Sequence, residues 1–493
     1  MELGEAATLL LAFCITCLLL SAWRRRRSQR LPPGPFPLPI LGNALNLVGR
    51  SLPQALKELG EKYGPVYSLY MGSSPMVVVS GLPAVKEALL QQGDAFSGRG
   101  PFPVFQHLLK DYGVGLSSGE RWKQLRRFSL MTLKSFGMGK RSIEERIQEE
   151  AQYLVEEFRK TRGVPFNPSF LFGRAVANII CSVIFGDRFV YEDPRFLSLL
   201  ELVDENFHLL NTHWSQFLNA FPQILKYYPG AFPSFMRNLQ QLKDFVLNEI
   251  KTHQQTLDPS CPRDFIDCFL IKMEQESASS QHVFALENLV SSTIGIFLAG
   301  IETVNATLQY GFLILQKYPE IIEKIHTELD LVIGRERLPC MEDRKRMPYT
   351  EAVIHEIQRF TDVNPMGLPR ATIVDTNFRG YIIPKGTTVF FLLTTVLNDP
   401  TLFERPETFN PAHFLDERGC FRKSEAFVPF SIGKRNCLGE GLARMELFLF
   451  FVSILQSFTL KPTRDPKDID LEVKISNGIG LVVPPYQFSL LPR

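Results

Sequence analysis

Cys437 stands in the run Phe430-Ser431-Ile432-Gly433-Lys434-Arg435-Asn436-Cys437-Leu438-Gly439. The thiolate is the metal-binding form of cysteine. It is favoured at a helix N-terminus, where unpaired N–H groups and the positive dipole end stabilise negative charge. The strongly apolar stretch Leu438 to Gln456 supplies such a helix. Gly433 and Gly439 leave space for a flat ligand to approach the backbone. Arg435 can reach an anionic group at the rim of that ligand. A single thiolate with a planar acidic partner points to haem iron, because zinc needs further Cys or His ligands nearby. The competing reading is a buried structural cysteine between two turn glycines.

A second candidate lies in Phe284 to Gln316, a long helical run centred on Ala299-Gly300-Ile301-Glu302-Thr303. Glycine inside a helix costs up to ~1 kcal/mol relative to alanine. Gly300 makes sense if the backbone passes close to something flat. Thr303 can bond its hydroxyl back to the carbonyl of Ala299 and help distort the helix. An acid beside an alcohol offers a proton source and a relay. Taken alone, the pair also reads as an ordinary surface acid and a helix threonine.

Trp122 and Arg126 are four apart and share one helix face. Lys123, Arg127 and Lys134 form a neighbouring basic stripe, which by itself reads as a solvated face. Glu356 and Arg359 are spaced i, i+3, as in many weak surface pairs.

Every fixed position of Phe-x-x-Gly-x-Arg-x-Cys-x-Gly is filled by Phe430, Gly433, Arg435, Cys437 and Gly439. The chain resembles the cytochrome P450s over almost its whole length, and among them the microsomal family-two enzymes of animals. The resemblance implies a mainly α fold with small β-sheets, a triangular helical prism behind an N-terminal transmembrane helix. It implies a haem–thiolate monooxygenase that inserts one atom of O2 into lipophilic xenobiotics, fatty acids or steroids. Haem b would take Cys437 as axial ligand. Trp122 and Arg126 resemble the pair that contacts a haem propionate, and Arg99 and Arg370 align with two further propionate contacts. Glu302 and Thr303 match the acid–alcohol pair of the oxygen-binding groove. Position 304 is Val where many relatives carry Thr or Ser, so a second hydroxyl is lost there.

In the family the basic stripe, with Phe136, Met138, Lys140 and Lys434, docks an acidic electron donor. That donor would be NADPH–cytochrome P450 reductase, with cytochrome b5 as a second candidate. The family's Glu-x-x-Arg pair is buried and supports the haem-binding core. Its third member is commonly Arg, but His413 stands at that place, able to hydrogen-bond without a permanent charge. Carried-over substrate contacts are Phe102, Leu116, Phe207, Leu298, Ala299, Asn364, Leu368 and Ile479. All but Asn364 are apolar, which favours lipophilic substrates and excludes water. Each also reads as a core residue.

Two other functions compete. A haem–thiolate isomerase or dehydratase acting on peroxides needs neither the acid–alcohol pair nor a docking stripe. A non-catalytic haem sensor needs no proton relay or apolar pocket.

These residues must be held by elements that the rest of the chain supplies. A length of 493 residues would give about three domains at one per ~150. After residue 50, however, no low-complexity spacer, charge block or solenoid repeat appears, so residues 44–493 read as one catalytic domain. Forty phenylalanines against three tryptophans point to a core and pocket rich in plain aromatic surface. A net charge of +2 predicts no nucleic-acid partner. Eight cysteines without pairing rhythm suit a reducing compartment.

Ala6 to Trp23 is uncharged and just long enough to span a bilayer. Glu2 and Glu5 precede it and Arg24, Arg25, Arg26 and Arg27 follow, the opposite flank to a cleavable signal peptide. Residues 1–23 therefore read as a signal anchor that places the body on the cytosolic side of the endoplasmic reticulum. Cys14-x-x-Cys17 lies inside that apolar segment. Residues 24–43 read as a basic, proline-rich hinge, stiff and extended from Leu31 to Pro39. A disordered tether would give the same topology.

Val66 to Ser80 reads as a strand pair with turns at Gly72 and Pro75, and strands recur over Phe378 to Leu393 and Ile475 to Phe488. Most of 140 to 350 reads as helices. Asn305-Ala306-Thr307 fits a glycosylation acceptor but lies mid-helix. There is no Walker sequence and no convincing dinucleotide fingerprint, so electrons must come from a partner.

Overall fold

The structure is a computed structural model that describes residues 31–47, 49–135, 143–212, 231–277, 282–471 and 480–493. The expected anchor, Phe136, Met138, Lys140 and Ile479 lie outside the described residues. Among those described, helices of ten residues or more are α1 Leu52–Tyr63, α2 Gly119–Ser135, α3 Ile143–Lys160, α4 Ser169–Ile184, α5 Pro194–Leu210, α6 Ala231–Thr256, α7 Phe265–Gln275, α8 Leu286–Lys317, α9 Pro319–Val332, α10 Pro348–Thr361 and α11 Glu440–Ser457. Short strands complete a mainly helical architecture.

The expected hairpin forms as β1 (Val66–Met71) and β2 (Ser74–Ser80), paired antiparallel with Val66 opposite Val79. Its turn is at Gly72-Ser73, and Pro75 sits inside β2. Strands β3 (Gly98–Arg99), β4 (Arg370–Ala371), β5 (Thr376–Phe378), β6 (Tyr381–Ile383) and β7 (Thr388–Leu392) follow. The main sheet runs β1-β2-β7-β4-β3, and β5-β6 is a separate hairpin. The strand expected from Ile475 begins only at Phe488: β9 (Phe488–Pro492) pairs with β8 (Phe458–Pro462), and residues 481–487 are irregular.

The proline-rich segment is not a free hinge. Ser68 of β1 donates its N–H to the Pro33 carbonyl at 2.7 Å and its hydroxyl to the Pro32 carbonyl at 2.7 Å. Asn43 Oδ1 accepts from the Tyr70 N–H at 2.9 Å. The folded body therefore includes residues before 44, because the exposed edge of β1 offers unpaired groups that the segment satisfies.

Helix α8 is the axis of the molecule. It packs against α4, α10 and α11 and against the turn at 113–116. Among the described residues it is the one helix long and apolar enough to cross a membrane, but its flanks are core: Phe297, Ile301, Val304 and Leu308 are buried. Asn305 is held within it, accepting from the Gln309 amide at 2.9 Å.

Candidate functional site

The signature run forms a tight loop before α11. The Cys437 N–H donates to the Phe430 carbonyl at 2.9 Å, and Asn436 N–H to the Gly433 carbonyl at 3.1 Å. The helix itself begins at Glu440, with Gly439 as its cap, so Cys437 precedes it rather than opening it. Gly433 has φ +78°. A Cβ there would lie 2.1 Å from the Leu89 carbonyl oxygen, so this glycine serves the turn and a close backbone approach rather than a ligand.

Cys437 exposes its surface, yet surrounding protein desolvates its thiol. It therefore faces open space inside the molecule. Burial pushes the thiol up, while the Gly439 and Glu440 N–H groups and Arg126 favour the thiolate and the Glu440 carboxylate opposes it. A metal cation would reverse the balance.

Four arginines converge beside this loop. Arg99 and Arg370 are opposite each other across β3 and β4. Arg99 donates Nε to the Gly115 carbonyl at 2.8 Å, and Arg370 donates Nη2 to Ser431 Oγ at 3.1 Å. Arg435 donates Nε to Ser97 O at 2.8 Å and Nη2 to Ser117 O at 2.6 Å, and stacks 3.9 Å over the Trp122 ring. Arg126 donates to Asn436 Oδ1. Burial lowers Arg435 to about 8 and Arg370 to about 9, and neighbouring arginines add to both shifts.

The described residues place no carboxylate in an ion pair with any of these four, and Nη1 of both Arg370 and Arg435 is buried without a partner. Buried cations this close require an anion. A flat ligand carrying two carboxylates, with a metal at its centre for Cys437, fits this donor set. Haem is such a ligand.

On α8, Ala299 and Thr303 are exposed at the centre of an otherwise buried helix. Thr303 donates its hydroxyl to the Ala299 carbonyl at 2.8 Å, as its spacing implies. Gly300 faces the other way: a Cβ there would lie 2.6 Å from Ile180 Cδ1. It permits close packing of α8 on α4, and the flat surface is offered by Ala299. Glu302 is raised to about 7 by burial and, secondarily, by Asp204. It is thus a carboxyl able to hold and release a proton near neutrality.

The carried-over apolar positions divide. Phe102 is buried, with its ring 5.0 Å from that of Phe105, which in turn meets Phe235 of α6. Leu116 and Leu298 pack part-buried on the main core, and Leu368 is half-buried. Phe207 is half-buried, and a Cβ on Gly480 would lie 2.7 Å from its ring. Asn364 keeps a buried Oδ1 without a partner, and so do both amide atoms of Asn206, a residue that spacing did not single out.

Lys123, Arg127 and Lys134 are exposed on one side of α2, with Met131 between them. Two of the expected docking cations are not free: Lys123 pairs with Glu120, and Lys434 with Asp94. These carboxylates lie three residues back along the same helix and in the segment that leads into β3, where charge spacing gave no sign of them.

The buried trio His253, Asp264 and Asp267 resembles a metal set by proximity. Its atoms are already engaged: His253 Nε2 lies 2.8 Å from Asp264 Oδ2, and Arg263 binds Asp267 at 2.7 and 2.9 Å. It clamps α6 to the start of α7.

The family model described as Cytochrome P450 matches residues 32–491. The chain belongs to the cytochrome P450 family. It is 53% identical to cytochrome P450 2C23 of Rattus norvegicus over 495 residues, covering 100% of both chains. It is 53% identical to cytochrome P450 2G1 of Oryctolagus cuniculus over 495 residues, again 100% of both. Against cytochrome P450 2H2 of Gallus gallus identity is 52% over 487 residues, 99% of each chain. As a P450, the protein is a haem–thiolate monooxygenase of lipophilic substrates that requires an electron donor and O2. Near-equal identity to three differently named relatives selects no particular substrate.

Proposed function

We propose that this P450 is anchored by residues 1–23 in the endoplasmic reticulum and takes electrons from NADPH–cytochrome P450 reductase, with cytochrome b5 as a second donor. Its substrates are small lipophilic molecules, held by Phe102, Leu116, Phe207, Leu298, Ala299, Leu368 and Ile479, with Asn364 offering a polar contact. The observation that carries the site assignment is the group of arginines beside Cys437 that has no acidic partner among the described residues. Arg99, Arg126, Arg370 and Arg435, with Trp122, would hold the two haem carboxylates, and Cys437 would supply the thiolate. Bound there, haem supplies the activation of O2, one atom of which enters the substrate while the other leaves as water.

The chain's own residues do the rest. The Gly439 and Glu440 N–H groups steady the thiolate charge. Apolar side chains keep water from the reacting substrate. Glu302 holds a proton near neutrality, and the Thr303 hydroxyl passes it on toward the open face of α8. The exposed cations of α2 meet the acidic donor. Cys437→Ala is the direct test. It should abolish the red-shifted absorption of the reduced carbonyl complex that gives the family its name. Persistence of that band would remove Cys437 from the role.

A further inference from the structure

Helices α4 and α8 run antiparallel. Ile180 lies beside Gly300, Gly173 beside Asn305, and Ser169, at the start of α4, is bonded to Gln309. Their buried side chains include Phe172, Val176 and Ile180 of α4 and Ile301, Val304 and Leu308 of α8. One polar line runs through this apolar packing. Glu302, Asn305 and Gln309 are spaced i, i+3 and i+7, so they lie along one face of α8. Asn305 Oδ1 accepts from Gln309 Nε2 at 2.9 Å. The Ser169 hydroxyl has both Gln309 Oε1 and Asn167 Oδ1 at 2.7 Å. Asn167 is exposed, whereas Gln309 is buried and its carbonyl accepts the Tyr486 hydroxyl at 2.6 Å. A Cβ on Gly173 would lie 3.6 Å from Asn305 Nδ2, which places that amide at the seam between the helices. Asn305 and Glu302 are both half-buried and are neighbours by one helical turn, about 5–6 Å between Cβ atoms.

Amides in an apolar seam carry a desolvation cost that apolar side chains would not. This line joins the surface at Asn167 to the face that carries Glu302. An acid that gives up a proton toward the open face of α8 must regain one at every turnover. An apolar substrate on that face excludes the water that could return it. We propose that Asn305 and Gln309 are positioning residues that, with Ser169, hold water along the α4–α8 seam through which solvent protons reach Glu302. The carboxylate left after each transfer takes a proton from the nearest water, and the deficit passes outward to solvent at Asn167. The amides orient that water and do not ionise. The proposal rests on Glu302 being the proton source.

The test needs no turnover. Haem-loaded protein is mixed rapidly with D2O below neutrality, and the protonated Glu302 carboxyl is followed by the infrared shift of its C=O band. Loss of the band in Glu302→Gln assigns it. Asn305→Leu and Gln309→Leu should each slow the exchange severalfold. Asn305→Ser keeps a polar group in the seam and should exchange close to the wild-type rate. Product formed per NADPH consumed should fall in the same order, and Asn305→Leu should cause no further fall in a Glu302→Gln background. Wild-type exchange in both leucine variants would overturn the proposal and leave the amides as packing residues, and so would equal slowing by Asn305→Ser. If the leucine variants do not retain haem, Ser169→Ala at the surface end decides: slower exchange supports the path and an unchanged rate overturns it. The acid and its path are separable. Glu302→Gln with an unchanged product ratio refutes the acid as proton source. A lowered ratio there, with wild-type exchange in the leucine variants, refutes the path alone.

Discussion

His413 Nδ1 lies 3.1 Å from Glu356 Oε2, and its other ring nitrogen lies 2.8 Å from the Glu404 carbonyl oxygen. Glu356 is also bound by Arg359 at 2.7 and 2.8 Å, with both side chains fully buried. Arg359 continues to the carbonyls of Leu397 and Pro406, each at 2.9 Å. The trio thus pins α10 to the segment 397–413. His413 thus forms the bridge for which the family resemblance implied an arginine.

Removing either partner of Glu356 leaves a buried carboxylate short of donors. Arg359→Leu should cost about 3–5 kcal/mol, as for other broken buried pairs. His413→Ala should cost less, about 1.5–3 kcal/mol for a hydrogen bond to a charged group. Denaturant unfolding of the haem-loaded variants checks the order. A His413→Ala protein as unstable as Arg359→Leu would contradict it.

With Glu302 as the proposed proton source, the coupling of the reaction should depend on pH. Its carboxyl is raised to about 7, first by burial and then by Asp204, so it is mostly protonated below neutrality and mostly ionised above. Product formed per NADPH consumed should fall as pH rises through 7, with hydrogen peroxide making up the difference. Thr303→Ala should depress the ratio at every pH, because the acid loses its relay. Glu302→Gln should flatten the profile. A wild-type slope retained in Glu302→Gln would assign the titration elsewhere.

The His253–Asp264 clamp makes a separate contribution to stability. Burial disfavours the imidazolium, but the bond to Asp264 outweighs it, and the histidine is raised. A folded value above the unfolded one, about 6.5 for a free histidine, means that this stabilisation is fully present below that pH. It is lost as pH rises through the folded value. Melting temperature followed across that window should therefore decline more steeply in wild type than in Asp264→Asn. A chelator should leave it unchanged, since the carboxylates already have protein partners.

How legible the chain was depended on range. The signature loop, the β1–β2 hairpin and α8 were readable because local spacing, glycine and hydrophobic period determine them. The Thr303-to-Ala299 bond followed from one turn of helix. What could not be read was set by contacts between distant segments. Gly300 is small because Ile180 crosses it, and the proline-rich segment is part of the body because Ser68 captures it. Likewise, Asp94 reaches Lys434 from 340 residues away, a separation that carries no pattern.

Asp94 leads to the last expectation. Lys434 was expected to face an acidic electron donor, yet it is paired with Asp94, whose carboxylate Lys434 holds below its usual range and Lys123 influences further. Both side chains are largely exposed, so the pair adds little to stability. Its expected effect is on recognition, because under the proposed docking an internal carboxylate would compete with the donor for the same cation. Asp94→Asn should free Lys434 and lower the donor concentration needed for half-maximal reduction. Lys434→Glu should raise it. Added salt should shrink the difference between these proteins, since exposed charges are screened over about 8–10 Å near physiological ionic strength. Turnover driven by peroxide bypasses the donor and should be the same in all three. If Asp94→Asn weakens donor-driven turnover instead, the carboxylate is orienting Lys434 for the donor rather than competing with it, and the masking role is excluded.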